Sequence, residues 1–293
     1  MSKTVLLTGG NRGLGKAAVK KFAERGMKVT FTARDTKKGD AVAAEIRAQV
    51  PNAKVDCVAL DVLDRGSIRA LAQTIAARPE PLDVLVNNAG LLVSEKTPVR
   101  TAEGVEVTFA TNLLGPFYLT NLLLPCLERS SSARIVNVAS RMHMPKGGWG
   151  PPVNFDFDDL GPQTHYELTV AYKNSKLAMM WFTYELARRL PPRKITANAV
   201  CPGFVPATAA EDTHGAMRFV MRTVMPLMPF AHGIDEATDT YAMACTAPEL
   251  EGTSGRFFGE SKPIESSPES HDEAKAKRLW ELCNEMLQLR DWP

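Results

Sequence analysis

The sequence predicts an α/β protein: one domain over residues 1–293 in which a parallel, doubly wound sheet of about seven strands is flanked by helices. Three observations predict it. Short, β-branched strand patterns alternate with helical ones through the first two-thirds of the chain. The strands are apolar on both sides, which suits a sheet covered on both faces. A glycine-rich turn, Thr8-Gly9-Gly10-Asn11-Arg12-Gly13-Leu14-Gly15, follows the first strand and leads straight into a helix.

The elements follow in order. Val5–Leu7 reads as strand one and Lys16–Arg25 as the helix after it. Lys28–Thr32 is strand two, and Lys38–Gln49 is a helix stopped by Pro51. Val55–Leu60 is strand three, Arg65–Ala77 a helix and Leu82–Val86 strand four. A long helical stretch runs from Gly104 to Glu128, followed by strand five at Arg134–Val138, a helix at Val170–Leu190 and strand six at Ile195–Val200. Residues 203–233, rich in methionine, proline and phenylalanine, read as a substrate lid. Arg256–Phe258 is a seventh strand, Lys262–Ser270 a polar surface loop, and residues 272–290 an amphipathic C-terminal helix carrying Ala276, Leu279, Trp280, Cys283 and Leu287 on one side.

Composition excludes several functions. A formal net charge of +2 leaves no basic face for nucleic acid. Five scattered cysteines, Cys57, Cys126, Cys201, Cys245 and Cys283, form no CxxC pair and read as reduced core thiols; the histidines do not cluster with them, so no metal site is expected. The first strand begins too near Met1 for a signal peptide, and no run of about 18 apolar residues suggests a membrane span. The expected location is the cytoplasm.

The glycine turn carries the first chemistry. Backbone N–H groups and the positive end of a helix dipole meet a phosphate there, and each glycine removes a side chain that would hold the ligand away. Gly9, Asn11, Arg12, Gly13, Leu14 and Gly15 are therefore candidate dinucleotide contacts. The end of strand two reads Thr32-Ala33-Arg34-Asp35. An acid there bonds the free 2′-hydroxyl of NAD, whereas an arginine accommodates a 2′-phosphate. With Ala33 in the acid position, Arg34 and Arg12 converge on a dianion and favour NADP(H). In the competing register both arginines are solvated charges and Asp35 is the ribose acid.

Tyr172 and Lys176 lie four residues apart on one helix face. A free phenol has a pKa near ~10, and a neighbouring ammonium lowers it, which makes the pair a proton donor and its tuner. Strand five ends in Ser140, strand four runs into Asn87-Asn88-Ala89-Gly90, and Asn112 lies in the long helix between them.

The set TGxxxGxG, NNAG, Asn112, Ser140, Tyr172-x-x-x-Lys176 and Pro202-Gly203 resembles the short-chain dehydrogenase/reductase family, whose Rossmann fold matches the predicted architecture, and covers nearly the whole chain in the family's order. Asn112-Leu113-Leu114-Gly115-Pro116-Phe117, Phe157-Asp158-Asp159-Leu160, Ala171–Ala178 and Arg278-Leu279-Trp280-Glu281 resemble its retinol dehydrogenase and WW-domain oxidoreductase branch, which includes light-dependent protochlorophyllide reductases. The resemblance implies Tyr172 as general acid/base, Ser140 bonding the same substrate oxygen, Lys176 lowering the tyrosine pKa and holding the nicotinamide ribose, and Asn112 holding a relay water. It places Asp61 and Val62 at the adenine, Asn88, Ala89 and Gly90 along the adenine-side ribose, and Pro202, Gly203 and Val205 over the nicotinamide. The family threonine after Pro-Gly-x-Val is replaced by Ala207, with Thr208 one residue later. The segment Gly147–Pro152 does not align and reads as a surface loop or a pocket wall.

Met217, Met221, Met225 and Met228 fall at helical spacing beside Phe219, Val220 and Phe230, which points to a small hydrophobic carbonyl or alcohol substrate. Trp149 and His143 are further wall candidates with packing as the alternative. The expected function is hydride transfer between nicotinamide and a carbonyl/alcohol pair. Two readings compete: a nucleotide-sensing scaffold, which needs no complete Asn112, Ser140, Tyr172, Lys176 set, and a light-driven C=C reductase, which lacks an obvious site cysteine. Many relatives pair through the helices near Asn112 and Tyr172, yet the long segment between Ser140 and Tyr172, an insertion relative to the family's classical spacing, could cover that surface, so a homodimer and a monomer both stay open.

Overall fold

The computed structural model describes residues 2–92, 97–145, 150–160, 166–190, 194–212 and 215–290, with the side chains of Asp212 and Met217 outside that description. The strands are β1 (Thr4–Leu7), β2 (Lys28–Ala33), β3 (Lys54–Ala59), β4 (Val84–Asn87), β5 (Ala133–Val138), β6 (Ile195–Cys201), β7 (Phe257–Gly259) and β8 (Lys262–Pro263). They form one sheet in the order β3-β2-β1-β4-β5-β6-β7-β8. Every pairing is parallel except β7–β8. Chain order reverses between β1 and β4, and ligands in such sheets bind beyond the strand ends at that point.

Period-two alternation divides the core. Leu6, Leu85, Ile135, Ala197 and Phe257 face one layer, packed by α3 (Arg65–Ala76), α5 (Gly115–Glu128), α6 (Leu168–Arg189) and α10 (Glu273–Leu287). Val5, Leu7, Val29, Phe31, Val84, Val86 and Phe258 face the other, packed by α1 (Gly13–Glu24), α2 (Thr36–Gln49) and α9 (Ile234–Thr246). Arg134 is buried and caps α9, donating to the carbonyls of Ala244 (3.3 Å) and Ala247 (2.8 Å).

The rod over Val107–Glu128 is long and apolar enough to cross a membrane by composition, but 89% of its most apolar window is buried inside the protein. It is not uniform: α4 (Val107–Phe109) passes through a π segment, Ala110–Leu114, into α5. The Gly115 N–H donates to the Ala110 carbonyl, five residues back. Pro116 has no N–H, so the Asn112 carbonyl has no donor four residues on.

Two expectations change here. Lys262–Ser270 is not a surface loop: β8 pairs with β7, Pro268–His271 forms a 3₁₀ turn, and Ser266, Ser267 and Ser270 are buried. Their hydroxyls make burial tolerable by bonding one another and their neighbours. Ser266 Oγ lies 2.7 Å from both Tyr184 Oη and Ser270 Oγ, and 3.0 Å from His271 Nε2. The methionine stripe is not one helix either. α8 (Gly215–Thr223) ends before Met225, which starts a 3₁₀ turn over Met225–Leu227 after α7 (Pro206–Ala209). The C-terminal helix packs on α6, with Trp280 4.9 Å from Phe117 and 6.0 Å from Phe182.

Candidate active site

The glycine turn lies at the carboxyl end of β1, pinned to its neighbours. Gly9 N donates to Thr32 Oγ1 (3.1 Å) and Gly10 N to the Thr32 carbonyl (3.0 Å). The Thr8 hydroxyl accepts from the N–H groups of Asn88 (3.0 Å) and Ala89 (2.9 Å), while Asn88 Nδ2 donates to the carbonyls of Thr8 (2.8 Å) and Gly9 (3.1 Å). Tyr241, which the sequence reading missed, donates to Asn88 Oδ1 at 3.1 Å. Gly9 and Gly13 take φ of 73° and 52°. A Cβ on Gly13 would lie 2.8 Å from the Thr208 methyl, and one on Gly15 2.8 Å from Asn88 Nδ2. Asn11 and Leu14 are half-buried and Arg12 is exposed at the start of α1.

Arg34 stands exposed just past β2, two residues beyond the Thr32 that holds the turn, and makes no ion pair among the described residues. Asp35 is otherwise engaged: it caps α2, accepting from Lys38 N at 3.3 Å, with Lys38 Nζ 3.6 Å away. Asp61 follows β3, where Oδ1 accepts from Leu63 N at 3.0 Å, and the Val62 carbonyl lies against Gly115. Gly90 packs over the deeper site: its Cβ position is 3.5 Å from Asn112 Oδ1 and 3.8 Å from Lys176 Nζ.

Asn112 is buried in the π segment with its amide fully used. Oδ1 accepts from Leu91 N (2.7 Å), and Nδ2 donates to the Leu91 carbonyl and to Ser175 Oγ (2.9 Å each). The side chain therefore braces the loop after β4 against α6, and its backbone carbonyl, which lacks the usual donor four residues on, is the atom left to hold a water. Ser175 adds a bond to the Tyr172 carbonyl at 2.7 Å.

Ser140 lies two residues past β5 and caps the turn Arg141–His143, accepting from Met142 N at 3.2 Å. Its side chain faces the Tyr172 phenol closely enough to favour the phenolate. Burial outweighs this and, with nearby Cys201, pushes the phenol up to about 12. Burial also draws the Lys176 ammonium down to about 8, against the opposing effect of Cys201. Lys176 Nζ donates to the Val138 carbonyl at 2.8 Å and lies 5.5 Å from the Tyr172 ring centre. In the chain alone, burial sets the direction of the tyrosine shift, and the Lys176 ammonium is engaged by the Val138 carbonyl.

His143 is fully buried. Its Nε2 accepts from Ser267 N at 3.2 Å, so the Nδ1 proton goes to the Ser140 carbonyl. Burial holds its pKa below the ordinary imidazole value. Arg141 adds a 2.7 Å ion pair to Glu260, so the C-terminal hairpin braces the Ser140 turn twice. Trp149 and Gly147–Gly148 lie outside the described residues.

Pro202 and Gly203 follow β6. Gly203 needs its φ of 76° and closeness to His232, where a Cβ would lie 2.8 Å from ring Cγ; buried Val205 starts α7. Ala207 is exposed, whereas the buried Thr208 Oγ1 has no hydrogen-bond partner among the described residues. An orphaned hydroxyl over a glycine cradle fits a polar cofactor between α7 and the turn.

A glycine turn at the switch point of a parallel sheet, with a side-chain hydroxyl, a phenol and a buried amine past β5 and on α6, is the arrangement of a dinucleotide-binding oxidoreductase. The family model of short chain dehydrogenases matches residues 3–151 and 160–218, and the chain belongs to that family, in its retinol dehydrogenase-like branch. It is 37% identical over 290 residues to retinol dehydrogenase 12 of Bos taurus, covering 98% of this chain and 87% of that protein. It is 38% identical over 283 residues to human retinol dehydrogenase 13, covering 95% and 82%. Among solved structures, an uncharacterized protein from Mycobacterium paratuberculosis is 30% identical with a TM-score of 0.74, covering 98% of this chain and 94% of that one. The Pseudomonas aeruginosa RhlG/NADP complex has a TM-score of 0.70 at 24% identity, covering 88% and 94%.

Proposed function

We propose that this protein is an NADP(H)-dependent oxidoreductase acting on the carbonyl/alcohol pair of a hydrophobic substrate such as a retinoid, steroid or aromatic aldehyde or ketone. The reading rests on Ser140 just past β5, whose side chain favours the Tyr172 phenolate, and on Tyr172 and Lys176 one turn apart on α6, with Lys176 Nζ 5.5 Å from the phenol ring centre. Relatives named as retinol dehydrogenases support the substrate class. So do Phe219 and Leu227, large apolar side chains 66% and 78% exposed in the stretch that follows Pro202-Gly203.

The glycine turn, Thr208, Asn88, Ala89 and Gly90 hold the dinucleotide, Asp61 and Val62 meet its adenine, and Pro202, Gly203 and Val205 cover its nicotinamide. Arg12 and Arg34 face the 2′-phosphate. Bound nicotinamide supplies or accepts the hydride. Ser140 and Tyr172 grip one substrate oxygen. A phenol held neutral by burial is in the form that donates a proton in carbonyl reduction. Lys176, charged below about pH 8, holds the nicotinamide ribose and favours the phenolate left after transfer. A water on the Asn112 carbonyl returns the proton.

An NADPH-consumption screen across retinoid, steroid, aliphatic and aromatic carbonyls tests this. The highest kcat/KM is expected for lipophilic carbonyls. Small polar carbonyls outperforming every lipophilic one would overturn the substrate class, and no consumption with any would overturn the activity.

A further inference from the structure

We infer that Lys173 and Asn174, the pair between Tyr172 and Ser175, set which carbonyl substrates reach Tyr172 by pinning residues 150–154 of the insertion beside it. The inference rests on the carbonyl reading above and adds a specificity device to it.

Lys173 is only 2% exposed, yet no carboxylate pairs with it among the described residues. Its ammonium donates instead to the carbonyls of Pro151 (2.9 Å) and Gly150 (3.3 Å). Burying a charge is costly unless its hydrogen bonds are replaced, so these carbonyls are strongly constrained to stay. Asn174 grips the same segment further along: Oδ1 accepts from Asn154 N at 3.0 Å and Nδ2 donates to the Asn154 carbonyl at 2.8 Å. The near end is close-packed on α6. Gly150 takes φ of 82° directly over Thr169, where a Cβ would lie 2.6 Å from Oγ1.

Position makes this more than a surface staple. Thr169 and Lys173 form one row on α6, and Tyr172 and Lys176 form the row beside it. The segment leaves the chain at Ser140 and returns at Tyr172, the two side chains proposed to hold the substrate oxygen. Pro151 and Pro152, exposed and with φ locked, form a stiff ridge between the anchors. Past them Phe155 and Phe157 pack on Trp181 at 5.1 and 5.8 Å, which already fastens the far end by apolar contact. Fastening alone therefore needs no buried ammonium. The polar clamp adds a fixed register between the ridge and the turn of α6 that carries Tyr172, and on this inference a bulky substrate extending past its carbonyl meets that ridge.

The test compares all-trans-retinal with propanal, both with NADPH, in wild type, Lys173→Met, Lys173→Arg and Asn174→Ala. Lys173→Met and Asn174→Ala should each raise KM for retinal about tenfold, with kcat for propanal and KM for NADPH within about twofold of wild type. Lys173→Arg, which keeps the donors, should return KM for retinal to within about threefold of wild type. Equal changes for both aldehydes, or an unchanged KM for retinal, would overturn the inference. Asn174→Ala decides alone if Lys173→Met does not fold. Wild-type protein that consumes NADPH with neither aldehyde overturns the underlying carbonyl reading, and the inference falls with it.

Discussion

Replacing Gly15 by alanine tests the dinucleotide cradle at its tightest point. The new Cβ would press on the Gly9 carbonyl oxygen and lie 2.8 Å from Asn88 Nδ2 and 3.0 Å from the Gly9 carbonyl carbon. Backbone sits on one side and a hydrogen-bonded amide on the other, so the strain has no flexible tip to absorb it. Moving Gly9 away lengthens the bonds from Asn88 Nδ2 to Gly9 O and from Gly9 N to Thr32 Oγ1, both now 3.1 Å. Overpacking costs about 1–3 kcal/mol and each weakened bond about 1 kcal/mol, so the loss is about 3–5 kcal/mol. At roughly 2 °C per kcal/mol for a chain of this size, Tm should fall by about 6–10 °C, and NADPH should bind at least about tenfold more weakly. Gly26→Ala is the control: its φ of 73° strains any side chain, but a Cβ there meets nothing within 4 Å, so it should cost about 1 kcal/mol and leave NADPH affinity unchanged. Scanning calorimetry and NADPH fluorescence titration measure both. A Gly15→Ala protein with wild-type Tm and affinity would refute the cradle argument.

Two further outcomes follow from the charges. Arg34→Ala should raise KM for NADPH about tenfold or more and leave KM for NADH nearly unchanged, since it removes a charge-assisted bond to the 2′-phosphate alone; equal effects in parallel cofactor titrations would return Asp35 to the ribose role. The kcat for reduction should fall above about pH 8 as Lys176 loses its proton, and pH–rate profiles should show that limb missing in Lys176→Met. Stability moves the other way: a lysine lowered from 10.5 to about 8 gives a folded state with fewer bound protons, so its contribution rises from pH 8 to 10.5. Tyr172, raised from 10.0 to about 12, withdraws stability between those values.

Much of this was legible because it is local. Apolar strands alternating with helices give the sheet order through crossover rules, and the glycine turn marks the strand end where the chain reverses. Other features depend on distant partners. The serine-rich stretch 262–270 looks solvated until Tyr184, His271 and His143 supply its hydrogen bonds. The tyrosine's pKa direction depends on burial, which spacing along a helix does not report. One missed feature had a visible signal: Pro116, four residues past Asn112 inside a helical pattern, already implies a broken hydrogen-bond ladder there. Lys173 and Asn174 gave none, since Gly150, Pro151 and Asn154 lie about 20 residues away.

The most direct measurement is single-turnover NADPH oxidation by Tyr172→Phe beside an NADPH binding titration. The phenol as proton donor predicts a rate loss of about 10²–10⁴ with Kd for NADPH within about twofold of wild type. Near-wild-type turnover would contradict that role, and a parallel loss of NADPH binding would reduce Tyr172 to a structural support of the cofactor site.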